Sequence, residues 1–313
     1  MRDPRGYSIT RYRQILALSC LLAALPMASG AIAQGSVRSD GGVTPVEQAS
    51  TSVSPGFRGA VGEAGASAAR VAPAEFAREL ALQGVTGPKG AEVIIGTDNR
   101  IKVNPTTVYP YRAIALITFT GGRCSGWLIG SNTVVTAGHC LTLGIRAWRP
   151  VGSFRIYAGR NGNSIPYPVC TARWLATNTT WWNTQADDYD YGAIKLNCTV
   201  GNTVGWFGFF WTPRSLVDFV SFNSSYPGDK NLTQWRHTDY IRVEDARRLF
   251  YQNDTQPGSS GSPIYTYWRT CFPCGAAVHA YGTYNGPPSG THNHGTRITQ
   301  SVFNLLNSWK NAP

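Results

Sequence analysis

Short apolar runs, separated by Gly, Pro and Asn, occupy most of the chain beyond residue 92. The β-branched run Ala113–Thr118 ends at Gly121-Gly122, and the run Cys124–Ile129 follows directly. Runs of this length, bounded by turn residues, predict short antiparallel strands. By the same pattern, further strands are predicted at Thr133–Thr136, Ser153–Ala158, Tyr191–Asn197, Val204–Trp211, Val217–Phe222, Arg247–Gln252, Pro263–Tyr267 and Ala276–Tyr284.

Near the C-terminus the spacing of apolar residues changes. Val302, Leu305, Leu306 and Trp309 recur at helical spacing, which predicts a helix over Ile298–Lys310. Many short strands followed by one helix are typical of a β-sandwich or β-barrels. We therefore expect an all-β fold with a single C-terminal helix.

The first residues have the pattern of a secretory signal peptide. Four Arg precede the apolar run Ile15–Met27, and Ala31-Ile32-Ala33 supplies small residues at the spacing that signal peptidase recognises. The run is shorter than the roughly 18 apolar residues that span a membrane, and Cys20 lacks the Leu three residues earlier that a lipoprotein would carry. Removal of residues 1–33 and secretion of an extracellular protein, without stable membrane association, are therefore predicted.

Residues 34–92 differ in composition from the rest of the chain. They are rich in Ala, Gly, Ser, Val and Glu, and their only aromatic residues are Phe57 and Phe76. Such a segment buries little surface, so we expect it to be disordered or weakly folded, apart from one short helix within Ala72–Gln83. Because nothing upstream remains to be linked once the signal peptide is removed, we interpret residues 34–92 as a propeptide and residues 93–313 as the folded domain.

Composition and charge narrow the class of protein. Hydrophobic residues make up 42% of the chain, with 10 Trp, 15 Tyr and 12 Phe, which excludes a disordered or collagen-like protein. The formal net charge is +11, and a basic surface often binds nucleic acid. Here the basic side chains are scattered singly and no nucleic-acid motif accompanies them. A solvated basic surface without a nucleic-acid partner is the simpler interpretation, and attraction of acidic substrates is the alternative.

The cysteine count is consistent with export. Beyond the signal peptide six cysteines remain, and an even number in a secreted chain implies three disulfides, with 15 possible pairings. Proximity favours Cys124–Cys140, Cys170–Cys198 and Cys271–Cys274. The last pair forms a C-x-x-C motif, but no second such motif or βαβ pattern is present, so a structural clip is favoured over a redox or zinc site.

Three short strings carry candidate chemistry. His139 lies in Thr-Ala-Gly-His-Cys, Asp190 immediately precedes an apolar strand, and Ser260 lies in Gly-Ser-Ser-Gly-Ser-Pro. A serine hydroxyl needs a base to become a nucleophile, and a histidine, oriented by a buried carboxylate, can act as that base. Glycine two residues before the serine lets two backbone N–H groups face the developing oxyanion. Each string alone is only moderately specific, but this order at spacings of 51 and 70 residues is a strong signal.

Taken together, these strings resemble the chymotrypsin-like serine proteases over Val93–Pro313. The resemblance implies two antiparallel six-stranded β-barrels, at about residues 93–200 and 201–298, and a C-terminal helix at about 299–310. It implies a catalytic triad of His139, Asp190 and Ser260, an oxyanion hole from the N–H groups of Gly258 and Ser260, and a Cys124–Cys140 disulfide that braces the histidine loop. Asp187 and Asp188 are the alternative acids, but only Asp190 has the apolar strand in register.

Several further motifs resemble the bacterial glutamyl endopeptidases. They are the strings at Val93–Arg100, Tyr109–Ala113, Tyr226–Lys230 and Gly295–Thr299. This resemblance implies cleavage after Glu, less well after Asp, with a substrate-binding pocket formed by His279, Thr255 and the α-amine of Val93. An imidazole, a hydroxyl and an ammonium suit a substrate carboxylate because all three donate hydrogen bonds.

Two other interpretations of the same motifs remain open. Asp254, six residues before Ser260, occupies the position that gives trypsin-like enzymes their preference for Lys and Arg. A catalytically inactive, protease-like binding protein is the second alternative, although no triad residue is missing. No cofactor and no metal are expected, since His292 and His294 lack further ligands at useful spacing. Protein or peptide substrates and a monomeric state are the remaining expectations.

Overall fold

The computed structural model describes residues 35–60, 69–88 and 91–313. The predicted signal peptide, residues 1–33, lies outside the described residues. Residues 35–60 and 69–88 form three short strands and one helix: β1 (Ser36–Arg38), β2 (Val53–Ser54), β3 (Ala69–Arg70) and α1 (Pro73–Leu80).

The N-terminal half of residues 91–313 forms a closed six-stranded antiparallel barrel. Its strands are adjacent in the order β12-β10-β5-β6-β7-β13, and pairing of β12 with β13 closes it. Small strands flank the barrel strands in the connecting segments. In chain order the strands are β4 (Ile101–Lys102), β5 (Ile114–Phe119), β6 (Gly122–Leu128), β7 (Thr133–Thr136), β8 (Thr142–Gly144), β9 (Ala147–Trp148), β10 (Arg155–Ala158), β11 (Ser164–Ile165), β12 (Cys170–Asn178) and β13 (Gly192–Leu196).

The C-terminal half forms a second closed six-stranded antiparallel barrel. The order is β18-β15-β16-β17-β20-β19, closed by β18 against β19, and β14 adds to β19 in parallel. The strands are β14 (Gly208–Phe210), β15 (Val220–Ser225), β16 (Trp235–Glu244), β17 (Arg248–Tyr251), β18 (Pro263–Trp268), β19 (Cys271–Tyr281) and β20 (Asn293–Arg297). The predicted chymotrypsin-like, all-β architecture is confirmed.

Beyond α1, the described residues contain three α-helices: α2 (Thr179–Thr184), α3 (Gly201–Val204) and α4 (Gln300–Asn311). The Thr299 side chain accepts the N–H of Val302 and caps α4, which is the helix predicted at the C-terminus. The apolar face of α4 is buried in the core, as its helical spacing requires. No helix among the described residues is long and apolar enough to cross a membrane.

Residues 35–60 and 69–88 are folded against the barrels, so for these residues the expectation of a disordered or weakly folded segment is wrong. β1 pairs antiparallel with β12 of the N-terminal barrel, and β2 pairs antiparallel with β14 beside the C-terminal barrel. The helix predicted within Ala72–Gln83 is present as α1. The prediction rested on the low aromatic content of the segment, which indicates that it cannot form a core of its own. The segment is instead ordered by backbone hydrogen bonds to the edges of existing sheets, which do not require aromatic side chains.

Three disulfides join the cysteines in the pairs that proximity favours. Cys124–Cys140 links β6 to the turn after β7, and Cys170–Cys198 links the start of β12 to the segment after β13. Cys271–Cys274 closes a short loop within β19. The C-x-x-C motif is therefore a clip, as expected from the sequence.

Candidate active site

The turn that follows β7 places His139 beside Asp190. The Nδ1 atom of His139 lies 2.7 Å from Oδ2 of Asp190, and the backbone N–H of His139 donates to Oδ1 of the same carboxylate at 2.9 Å. Both side chains are buried. Burial by itself would lower the pKa of His139, but the charge and hydrogen bond of Asp190 outweigh it and raise that pKa above its ordinary value.

Strand pairing explains why two residues 51 positions apart meet. Gly192 at the start of β13 pairs with Thr136 at the end of β7, so the residues just outside both strands come together. Asp190 lies two residues before β13, and His139 lies three residues after β7. The register of one antiparallel strand pair therefore sets the contact between imidazole and carboxylate.

A sharp turn holds Ser260 next to the histidine turn. Gly258 has φ +103°, a conformation that other residues rarely adopt. The carbonyl of Gly258 accepts the Ser125 hydroxyl at 2.8 Å, and the carbonyl of Ser260 accepts the Ser125 N–H at 2.9 Å. β6 thus fixes the turn on both sides of the serine, and within the described residues the N–H groups of Gly258 and Ser260 make no hydrogen bond.

The hydroxyl of Ser260 does not point to His139 in this structure. Its oxygen makes a very short hydrogen bond with the Glu92 carboxyl group and also lies 3.1 Å from the carbonyl oxygen of Val85, within hydrogen-bonding distance. Correspondingly, Nε2 of His139 is buried and has no hydrogen-bond partner among the described residues. Two residues of the predicted propeptide, Val85 and Glu92, therefore contact the hydroxyl of Ser260, the nucleophile predicted from the sequence.

Glu92 is almost completely buried at this position. Burial raises the pKa of its carboxyl group to about 7, and the hydrogen bond from Ser260 and the nearby His139 only partly oppose the increase. The carboxyl group of Glu92, at the end of the predicted propeptide, therefore stays protonated at pH values well above those at which an exposed glutamate ionises.

His279 lies on β19 and is fully buried. Its Nδ1 atom lies 2.7 Å from the hydroxyl of Tyr251, while its Nε2 atom is buried and has no partner among the described residues. Desolvation lowers the pKa of His279 to about 3, and burial raises the pKa of Tyr251 well above its ordinary value. When the protonated tyrosine donates to Nδ1, the neutral imidazole carries its own proton on Nε2, the ring nitrogen that does not contact Tyr251.

Thr255 and Val93 lie together. The N–H of Thr255 donates to the carbonyl of Val93 at 3.2 Å, and the buried Oγ1 of Thr255 has no partner among the described residues. Asn293 on β20 holds Val93 from the other side, since its Nδ2 donates to the Val93 carbonyl at 2.7 Å and its Oδ1 accepts the Val93 N–H at 3.3 Å. Tyr251 and Asn293 have no sequence signal that marks them for these roles.

Asp254 is buried and fully engaged by backbone groups. Its Oδ1 accepts the N–H of Ile95 and its Oδ2 accepts the N–H of Asn99, both at 2.9 Å. The Nδ1 atom of His237 lies 3.4 Å from Oδ2. The carboxylate is therefore used to anchor the loop that follows Val93.

Asp187 and Asp188 lie in the turn before Asp190 and contact other groups. Asp187 accepts a very short hydrogen bond from the hydroxyl of Tyr284, and Asp188 forms an ion pair with Arg248 at 3.0 Å. Neither contact involves His139. The structure brings Asp190, and not its two neighbours, to the imidazole.

One cluster of histidine and cysteine side chains has the composition of a possible metal site. Among the described residues, Cys124, His139 and Cys140 form the one group of three candidate ligands close enough to share an ion. Both cysteines are in a disulfide, so neither offers the thiolate that binds zinc, and His139 already uses Nδ1 on Asp190. The donor set does not fit a metal centre.

Comparison with known proteins adds independent information. Residues 101–216 match the protein family described as Trypsin. The chain is 42% identical over 231 residues to the glutamyl endopeptidase of Bacillus licheniformis, which covers 72% of this chain and 71% of that protein. It is 37% identical over 226 residues to a Bacillus subtilis protein named extracellular metalloprotease, covering 70% of each. A solved structure of a Glu endopeptidase in complex with MPD superposes with a TM-score of 0.65 at 31% identity, covering 70% of this chain and all of that one.

Proposed function

Because this chain belongs to the glutamyl endopeptidase family of chymotrypsin-like serine proteases and is a serine endopeptidase, we propose that it cleaves peptide bonds after Glu, and less well after Asp, with His139, Asp190 and Ser260 as its catalytic triad. The observation that carries the Glu preference is a pair of buried polar atoms that have no partner among the described residues, Nε2 of His279 and Oγ1 of Thr255. A substrate carboxylate would satisfy both.

The proposed pocket recognises a carboxylate without a fixed positive charge in the side chains. In this proposal the neutral imidazole donates through Nε2, and the Thr255 hydroxyl, which has no partner among the described residues, donates as well. A buried donor that stays unpaired costs about 1–3 kcal/mol. A substrate residue that cannot accept these hydrogen bonds leaves that cost in place, which gives the pocket its selectivity. After cleavage before Val93, the new ammonium would add the charge that the pocket lacks, since Val93 lies against Thr255.

Hydrolysis follows from the proposed triad once the Ser260 hydroxyl is released. His139 Nε2 takes the hydroxyl proton as Ser260 Oγ attacks the scissile carbonyl, and the imidazolium is stabilised by Asp190 at Nδ1. The N–H groups of Gly258 and Ser260 stabilise the oxyanion. His139 then gives its proton to the leaving amine, an acyl-enzyme remains on Ser260, and water activated by His139 releases the acid and restores the serine.

The trypsin-like alternative requires Asp254 to meet a substrate cation. Its two carboxylate oxygens already accept two backbone N–H groups, and the side chain is buried. Binding Lys or Arg there would break both hydrogen bonds. This favours a structural role for Asp254 and an acidic preference for the pocket.

Metal-dependent hydrolysis is the second candidate, raised by the name of the Bacillus subtilis relative. The disulfide in the cluster of candidate ligands argues against it. A chelator gives a direct test, because a serine mechanism predicts unchanged activity in EDTA.

Maturation is proposed to use the same specificity. The bond before Val93 follows Glu92, which is the residue that the pocket is proposed to accept. Glu92 lies at Ser260, so the precursor already has this residue at the proposed nucleophile. Signal-peptide removal, release of residues 34–92, extracellular location and action as a monomer on protein or peptide substrates complete the proposal.

Cleavage of a peptide library by the matured enzyme tests the specificity. Matched peptides that carry Glu, Gln, Asp or Lys at one position separate charge from size. Glu peptides are expected to be cleaved much faster than Gln peptides of the same shape. Preference for Lys would instead support the trypsin-like alternative. A second assay, labelling with a fluorophosphonate, tests whether Ser260 is reactive; an absence of labelling would support an inactive binding protein.

A further inference from the structure

A buried ion pair joins the predicted propeptide to the protease domain away from the proposed substrate pocket. The Glu79 carboxylate, near the end of α1, accepts Nη2 of Arg160 and the hydroxyl of Tyr157, both at 2.6 Å. The side chain of Arg160 is 0% exposed and that of Glu79 is 9% exposed. The guanidinium also lies 4.5 Å from the centre of the Tyr157 ring.

Arg160 depends on this partner. Its Nε donates to the carbonyl of Gly162 at 2.8 Å, and its Nη1 has no partner among the described residues. A buried guanidinium that loses its carboxylate keeps the cost of desolvation without the compensating attraction. Tyr157 and Arg160 therefore form a preformed carboxylate site on the protease domain.

The residues that follow α1 reach the proposed nucleophile by backbone pairing. The N–H of Arg123 donates to the carbonyl of Gln83 at 2.9 Å, and the N–H of Val85 donates to the carbonyl of Arg123 at 3.0 Å. Between these bonds Gly84 lies so close to the serine turn that a Cβ atom would be 2.0 Å from the Pro257 carbonyl carbon. Val85 then accepts the hydroxyl of Ser260. This short stretch fills the space in front of Ser260.

These contacts do not need a covalent link to Val93. Strand β3 pairs with β11 through Ala69 and Arg70, Glu79 binds at Arg160, and residues 83–85 pair with Arg123. All of them lie before residue 88, so cleavage after Glu92 leaves each contact intact. After the Glu92–Val93 bond is cleaved, the same contacts join two separate chains, the released peptide and the protease domain.

We propose that Arg160 and Tyr157 form a carboxylate-binding exosite, and that through it the excised propeptide, by means of its residues 69–88, binds the matured enzyme in trans and blocks Ser260. The ligand is a peptide that presents a glutamate at this site and a glycine at the serine turn. The inference rests on the proposed function in that it takes Ser260 as the nucleophile and Glu92 as the site of cleavage.

Three synthetic peptides of residues 69–88 test the exosite: the parent, Glu79→Gln and Glu75→Gln. Glu75 is the matched control, since it lies on the same helix and is exposed. Each peptide is added to enzyme matured from the full chain, and its inhibition is measured from initial rates on a small chromogenic substrate. Mass spectrometry confirms that the peptide is still intact over the time of the measurement. The parent is expected to inhibit. Glu79→Gln should weaken inhibition about 30-fold or more, because it leaves Arg160 without its charge partner, and Glu75→Gln should change it by less than about threefold.

An enzyme-side variant tests the contact itself. Tyr157→Phe removes the hydroxyl that Glu79 accepts and keeps the ring beneath Arg160. It should weaken the parent peptide about tenfold and weaken the Glu79→Gln peptide much less, since that peptide has already lost the charged acceptor. Equal losses for both peptides would mean that Glu79 and Tyr157 do not meet, and would overturn the proposal.

Direct binding separates this inference from the proposed function. Fluorescence anisotropy of dye-labelled parent peptide measures the exosite without substrate, while fluorophosphonate labelling measures Ser260. Peptide binding with the expected Glu79 dependence supports the exosite even if Ser260 fails to label. Normal labelling with no binding or inhibition at millimolar peptide, or equal effects of the Glu75 and Glu79 substitutions, overturns it and leaves the proposed function standing.

Discussion

Access to Ser260 in the precursor is expected to depend on pH through Glu92. The docked carboxyl group has a pKa raised to about 7, against an ordinary value of 4.5. A carboxyl group whose pKa is higher when docked binds best when protonated, so docking is strongest below about pH 4.5. It weakens as the pH rises toward 7, and changes little above that. The difference amounts to about 3 kcal/mol, or roughly 300-fold in the docking equilibrium between these limits.

The assay compares the rate at which a fluorophosphonate labels Ser260 in the precursor and in the matured enzyme at each pH. His139 must be neutral for labelling of either form, so the ratio of the two rates removes its titration. Short labelling pulses followed by gel separation distinguish the two forms by size. The ratio of precursor to matured labelling should rise by up to about 40-fold between pH 5 and pH 7.

Glu92→Gln provides the control, because an amide of similar shape does not titrate over this range. The ratio for this variant should stay nearly constant with pH. A wild-type ratio that stays level or falls with rising pH would refute the assignment of Glu92 as the titrating group at Ser260, whatever the enzyme's specificity.

Three other predictions concern the proposed catalytic residues and pocket. Ser260→Ala should lower kcat by about 10⁶-fold in a peptide assay and should leave the precursor unprocessed, since the triad acts as a unit; correct N-terminal sequencing from Val93 in this variant would rule out self-processing. Tyr251→Phe should lower kcat/KM for Glu peptides about tenfold or more while sparing Gln peptides, because His279 loses the hydrogen bond that fixes its Nε2 proton; equal losses for both peptides would argue against this role. Asp254→Asn should lower the free energy of unfolding by about 2 kcal/mol, as measured in urea, without changing the preferred residue; a changed preference would revive the trypsin-like alternative.

The barrels were largely predictable because their strands carry local signals. Ile114–Phe119 and Gly122–Leu128 are short runs bounded by turn residues, and their predicted limits agree within a few residues. Three barrel strands, β12, β16 and β20, escaped prediction because none of them is a short apolar run. Cys170–Asn178 mixes apolar and polar residues, Trp235–Glu244 is mostly polar and partly exposed, and Asn293–Arg297 has no apolar side chain. Their strand conformation comes from pairing with neighbours, which a single sequence does not display.

The residues of the candidate site also fall into two groups, those that a local sequence motif identifies and those that only their contacts in the fold identify. His139, Asp190 and Ser260 each sit in a short string with a recognisable pattern, so the sequence identifies them without knowledge of their contacts. Tyr251 and Asn293 matter only through what they touch, His279 and Val93 respectively, and those contacts cross the barrel. The contact of Glu92 with Ser260 likewise depends on the folded precursor, for which the composition of residues 34–92 suggested disorder.

The strands that residues 35–60 add to the two barrels have a consequence for the matured protein. β1 occupies backbone groups of β12 at Ala176–Asn178, and β2 occupies those of Phe209 and Phe210 on β14. Loss of the segment would leave two stretches of open strand edge, which are surfaces on which proteins self-associate. The precursor would then be the form protected against aggregation, and the concentration at which the protease remains dispersed should fall once maturation is complete.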